Sequence, residues 1–170
     1  MALKITTMKK LLITTLMLVC IISLAHAQTT FILVRHAEKA NDGTRNPSLN
    51  DAGKERASNL AEMLSNQEVS ALYSTPYKRT QETLQPIASQ KNLEIQDYDP
   101  RAGADWLKEV AAKHGEGTVV ISGHSNTTPG LANALLGSQV FAQFDESDYT
   151  NLIIIVADEV GKGKLVRLKF

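Results

Sequence analysis

The 170-residue chain reads as an α/β protein, a single-domain three-layer α/β/α sandwich built on an open, mostly parallel sheet. Three observations predict this. Short β-branched and apolar runs of strand length recur from Thr30 to Lys169, amphipathic helical stretches fill the intervals between them, and no internal repeat, linker or low-complexity tract interrupts the alternation. With 43% hydrophobic and 21% charged residues the composition is that of one globular domain, which excludes a collagen, a coiled coil and a disordered tail.

The first 27 residues stand apart from this pattern. Lys4, Lys9 and Lys10 precede a fourteen-residue apolar run, Leu11 to Leu24, and Ala25-His26-Ala27 has the small-x-small form of a signal-peptidase site. Residues 1–27 are therefore expected to be a secretory signal cleaved near Ala27, with Met1 or Met8 as the start, and the protein is expected to be periplasmic or secreted. The run is short for a spanning helix, so a membrane is a partner only if the signal is kept. Cleavage would remove three Lys, no acids and the single Cys20, leaving 15 basic and 18 acidic side chains over residues 28–170. Such a chain offers no thiolate and no disulfide, and no broad basic field for nucleic acid.

Thr30–Val34 reads as a strand buried on both faces, ending in Arg35-His36. Ala57, Leu60, Ala61 and Leu64 mark one helical face, with Asn50 or Asp51 as its cap. Val69–Tyr73 is a second strand, and Ser74-Thr75-Pro76 is expected to cap a helix that runs to about Asn92 with a kink at Pro86. Leu93–Tyr98 is a third strand. Trp106, Leu107, Val110 and Ala111 mark a helix closed by His114-Gly115, with His114 as a cation at its C-terminus. Thr118–Ser122 is a central strand ending in Gly123-His124, Thr128-Pro129 opens a helix to Leu136, and Asn151–Val156 and Lys164–Lys169 close the fold around Gly161-Lys162-Gly163.

In such a sheet, ligands sit outside the carboxyl ends of the strands. Arg35-His36 follows the first strand, Arg79 falls just after the second, and His124 follows the fourth. Two His and two Arg converging on one crevice suit a small dianion, because guanidinium forks match phosphate oxygens. A neutral imidazole oriented through one ring nitrogen can attack phosphorus with the other while the cations neutralise the oxygens, and the scheme needs no metal or cofactor.

At this point the sequence resembles the histidine phosphatase superfamily, which includes the cofactor-dependent phosphoglycerate mutases. The blocks are Leu33-Val34-Arg35-His36-Ala37-Glu38-Lys39, Leu49-Asn50-Asp51-Ala52-Gly53, Tyr73 to Thr83, and Ile121-Ser122-Gly123-His124-Ser125-Asn126. The resemblance implies a phosphoglycerate mutase-like fold over residues 28–170 and hydrolysis of phosphate monoesters. It assigns the nucleophile to His36 and the holding of phosphate to Arg35, Arg79 and His124. The acid that many members carry directly after the second His is replaced here by Ser125. Glu38 and Asp99 remain the candidate proton donors, beside Glu94 and Asp97, and Asn126 is a candidate phosphate ligand.

Two other classes compete. Gly123-His124-Ser125-Asn126-Thr127 approaches the nucleophile elbow of a serine esterase, yet Thr127 replaces the second Gly and no His follows Ser125. A non-catalytic module could capture a phospholigand in the same pocket, although such a module has no need of a nucleophilic His36. Asp97 and Asp99 form no metal-ligand spacing with His36 and His124. Only 44 residues separate Arg79 from His124, too few for a large lid, so an open pocket for small-molecule or glycan phosphoesters is expected, with Phe141, Phe144, Asp145, Glu146, Asp148 and Tyr149 at its border.

Overall fold

The computed structural model describes residues 28–170; the expected signal segment, with Cys20 and the cleavage site, lies outside the described residues. The element order is β1 (Thr29–Arg35), α1 (Asp51–Met63), β2 (Ala71–Ser74), α2 (Lys78–Lys91), β3 (Ile95–Asp97), α3 (Ala104–His114), β4 (Thr118–Gly123), α4 (Thr127–Leu136), β5 (Asn151–Ala157) and β6 (Lys164–Lys169). The six strands form one sheet in the order β3-β2-β4-β1-β5-β6. β1, β2, β3 and β4 run parallel, whereas β5 pairs antiparallel with β1 and β6 antiparallel with β5.

Strand alternation divides the core into two layers. Phe31 and Leu33 of β1, with Val119 and Ile121 of β4, pack under Leu107 and Val110 of α3 and Leu131 and Leu135 of α4. Ile32 and Val34, with Leu72 and Val120, face Leu60 and Ala61 of α1 and Leu84 and Ile87 of α2. β1 is central because both of its faces are apolar, as its sequence requires.

Most element ends follow the expected chemistry. The Asn50 side chain caps α1 by accepting from the Gly53 N–H at 2.8 Å, and α2 ends with Asn92 in the left-handed region at φ 54°. One start differs. Ser74-Thr75-Pro76 does not cap α2, which begins two residues past Pro76, at Lys78 after Tyr77. The Thr75 hydroxyl is spent instead on Thr80 and on His124, and the Ser74 hydroxyl on the Thr75 carbonyl. α2 carries through Pro86 to Lys91.

Candidate active site

The carboxyl ends of β1, β2 and β4 meet at an open crevice of about 430 Å³, lined by His36, Lys39, Tyr77, Arg79, His124, Ser125, Asn126, Gln143 and Glu146 among others. His36 is fixed from several sides. Its backbone N–H donates to the Gly123 carbonyl at 2.9 Å, extending the β1–β4 ladder past the strand end. The next N–H, of Ala37, donates to the Thr83 hydroxyl of α2 at 2.9 Å.

The His36 Nδ1 lies 2.8 Å from the Ala37 carbonyl and can only donate there, so the proton sits on Nδ1 and Nε2 carries the lone pair. Burial, the nearby Arg35 and Arg79 guanidiniums and His124 overcome the raising effect of that hydrogen bond and hold its pKa down at about 3. The imidazole is thus neutral at neutral pH, the state a nucleophile requires.

His124 stands edge-on to His36, ring centroids 5.5 Å apart. Its Nε2 is 2.9 Å from the Thr75 hydroxyl, its Nδ1 is 3.4 Å from NH2 of Arg79, and Tyr77 meets its ring edge-on at 5.0 Å. Burial, then the Arg79 and Arg35 charges, lower its pKa to about 4. Arg79 lies with its guanidinium carbon 4.6 Å from the Tyr77 ring centroid. Thr75 is therefore a positioning residue for His124. Its local sequence is that of a helix cap, and only the strand order reveals where its hydroxyl points.

Arg35 departs from expectation. It is 1% exposed and does not line the crevice. Its NH1 donates to the carbonyls of Asp145, Glu146 and Asp148 at 2.8, 3.0 and 3.1 Å, its NH2 donates to Glu146 Oε2 at 2.8 Å, and Tyr149 stacks beneath it at 4.2 Å. The guanidinium is occupied in fastening the 145–149 loop, and the Glu146 side chain, 69% exposed, lies over it. Glu146 Oε1 accepts from the Ser125 hydroxyl. That bond, with the charges of Arg35 and Lys39, holds the Glu146 pKa below the usual carboxylate range against a weaker effect of burial.

The expected border segment thus supplies Glu146 to the crevice and Tyr149 behind it, the latter 6.0 Å from the His36 ring. The segment also supplies Gln143, which no motif signalled. Phe141 and Phe144 turn into the core instead, 8% exposed each, and Asp145 and Asp148 contribute backbone carbonyls to Arg35.

Neither candidate proton donor lines the crevice. Glu38 is clasped by Arg56, NH2 to Oε1 at 2.7 Å, and this bond keeps its pKa low. Asp99 is bound by Arg101 at 2.8 Å, which lowers its pKa to about 2. Both are ionised acceptors. Asn126 does line the crevice; it sits at the start of α4 and makes no cap bond with its side chain. Ser125 is 7% exposed and its hydroxyl donates to Glu146, so no His–Ser pair forms. His114 is corrected as well. Burial and Lys113 lower its pKa, and its Nε2 pairs with the Tyr73 hydroxyl at 2.9 Å rather than serving as a free terminal cation. Among the described residues, no three His, Cys, Asp or Glu side chains cluster as metal ligands would.

Two histidines at the carboxyl ends of β1 and β4, with an arginine opening the helix after β2, define a phosphate-type pocket on an α/β sheet. Residues 31–101, somewhat under half of the chain, match the histidine phosphatase superfamily, branch 1. Over 70 residues the chain is 43% identical to phosphoserine phosphatase 1 of Hydrogenobacter thermophilus, a match covering 38% of this chain and 33% of that protein. The chain thus spans about a third of the length of this relative.

Solved structures agree on the fold. The protein histidine phosphatase SixA bound to tungstate superposes with a TM-score of 0.68 at 17% identity, covering 82% of this chain and 96% of that one. Phosphoserine phosphatase of Entamoeba histolytica, in complex with 3-phosphoglyceric acid, gives 0.67 at 15% identity, covering 84% and 97%. A mycobacterial glucosyl-3-phosphoglycerate phosphatase gives 0.65 at 12% identity, covering 84% and 98%.

Proposed function

We propose that the protein hydrolyses phosphate monoesters through a covalent phosphohistidine on His36. The observation that carries this reading is the 2.8 Å bond from His36 Nδ1 to the Ala37 carbonyl, which fixes the tautomer and leaves Nε2 as a neutral nucleophile beside Arg79 and His124. Nε2 attacks phosphorus, the N–P bond forms, and the ester P–O bond breaks with its electron pair on the leaving oxygen, which takes a proton from solvent. Water then attacks phosphorus, the N–P bond breaks, and orthophosphate and free imidazole are released. Arg79, His124 and Asn126 bear on the phosphoryl oxygens as charge redistributes.

Glu38 and Asp99 are ionised and tied to arginines, so aryl and other good leaving groups are expected to react faster than alkyl ones. The related phosphatases support a small phosphomonoester as substrate. The test is steady-state hydrolysis of p-nitrophenyl phosphate in the presence of EDTA, comparing the protein with its His36→Ala variant. Turnover that survives EDTA and falls at least about 10³-fold in the variant supports the reading, and equal turnover by the two proteins overturns it. Phosphate binding without any turnover would favour the non-catalytic module.

The leader motif, Lys9-Lys10 before Leu11–Leu24 and Ala25-His26-Ala27, supports export as part of the same reading. Expression of the full chain with a C-terminal tag tests it. Recovery from the periplasm with residues 1–27 removed is expected, whereas full-length protein confined to the cytoplasm contradicts it.

A further inference from the structure

Among the described residues, the crevice is lined by one anion beside its cations. The Glu146 carboxylate lines the same space as His36, Lys39 and Arg79, and its side chain is 69% exposed although it rests on a buried arginine. A pocket built only for a phosphate dianion gains nothing from a carboxylate beside it, because like charges repel in a site partly shielded from water. The carboxylate is nonetheless held in place. Arg35 NH2 donates to Oε2 at 2.8 Å and the Ser125 hydroxyl donates to Oε1, while Arg35 NH1 grips the backbone carbonyls on either side of it.

An ionised carboxylate offers roughly four acceptor positions, so these two donors leave about half of them open toward the crevice. The open positions suit a cationic donor. A phosphomonoester with a neutral arm meets Glu146 only as a repulsive charge, whereas one with an ammonium a few bonds beyond the ester oxygen brings a counterion to it. Because Arg35 and Ser125 already orient the carboxylate, little freedom is lost when the second cation arrives.

We propose that Glu146 is a specificity-determining residue that selects phosphomonoesters carrying an ammonium group on the leaving arm, the carboxylate receiving the ammonium while Arg79 and His124 take the phosphate. The inference rests on the hydrolytic reading above and goes beyond it by naming the class of substrate.

The experiment uses the full chain and two substrates of equal size, phosphoethanolamine and 2-hydroxyethyl phosphate, in which a hydroxyl replaces the ammonium. The ratio of their kcat/KM values is measured for the protein, for Glu146→Gln and for Ser125→Ala. A preference of about fivefold for phosphoethanolamine is expected from one partly exposed ion pair. Glu146→Gln brings that ratio close to one, and Ser125→Ala, which keeps the charge, retains most of it. A ratio near one in the unmodified protein, or the same preference in Glu146→Gln, overturns the proposal.

p-Nitrophenyl phosphate, which carries no ammonium, is run alongside. If it too is not hydrolysed, the hydrolytic reading has failed, and calorimetric binding of the two small phosphoesters to His36→Ala, with and without Glu146→Gln, decides recognition separately. Tighter binding of phosphoethanolamine that depends on Glu146 supports the proposal there, and equal binding overturns it.

Discussion

The Arg35 guanidinium and the Glu146 carboxylate meet at 2.8 Å, joining the end of the central strand β1 to a loop 111 residues further along the chain. With NH1 serving three carbonyls of the same loop, Arg35 organises one wall of the crevice from behind. Arg35→Leu removes a donor from each of those carbonyls and is expected to cost about 2–3 kcal/mol, the penalty for buried acceptors left unpaired. Urea denaturation measures the loss. Arg35→Lys should recover only a minor part of it, because a single ammonium cannot reach the acceptors in their several directions.

Thr75 holds His124 through a 2.9 Å contact with Nε2. Thr75→Val keeps the shape and removes the polar partner, so kcat should fall about 2- to 10-fold, the worth of one hydrogen bond, with KM less affected. Thr75→Ser should restore the activity. Equal losses in the Val and Ser variants would assign Thr75 a packing role instead.

The two crevice histidines are held neutral, with pKa values pushed down to about 3 for His36 and about 4 for His124, in both cases first by burial. In the unfolded chain each takes up a proton near pH 6.5. Between about 6.5 and the lowered values the unfolded state binds more protons, so stability falls as pH falls through this window and no such loss occurs above it. Proton NMR of the imidazole C–H signals should show both rings titrating below pH 5. Inorganic phosphate should raise the His124 value by placing negative charge beside it.

Gly53 opens α1 against the segment that follows His36. A Cβ built there would stand 2.2 Å from the Glu38 carbonyl oxygen, and that carbonyl already accepts from the Asn50 N–H at 2.9 Å. Gly53→Ala is expected to force the two apart, to destabilise the fold by about 1–3 kcal/mol and to reduce activity by shifting residues 37–39. Thermal unfolding with a parallel activity assay checks both effects.

Local pattern made much of this molecule legible. The runs Thr30–Val34 and Thr118–Ser122 announce buried strands because both faces of a parallel sheet must be apolar, and Asn50, Asn92 and Gly137 mark helix ends by local chemistry that a sequence displays. His36, Arg79 and His124 meet at the crevice because strand ends in an open sheet converge on one edge.

Side-chain direction was not legible. Arg35 sits beside His36 in sequence, yet neighbouring residues of a strand point to opposite faces, and its partner loop lies 111 residues away. Thr75 has the composition of a helix cap, and its true use depends on β4 lying beside β2. Glu38 is a candidate because it lies two residues past His36 and Asp99 because it falls between Arg79 and His124, and the pairing of each with an arginine, Arg56 or Arg101, is a tertiary or turn contact that no motif encodes.

The central claim is that His36 becomes phosphorylated. Rapid-quench trapping with labelled acetyl phosphate and p-nitrophenyl phosphate, in EDTA and with His36→Ala in parallel, tests it most directly. The account predicts an acid-labile, base-stable phosphoenzyme that forms within one turnover and is absent from the variant. Turnover without any trapped adduct, or an adduct that persists in His36→Ala, would contradict it.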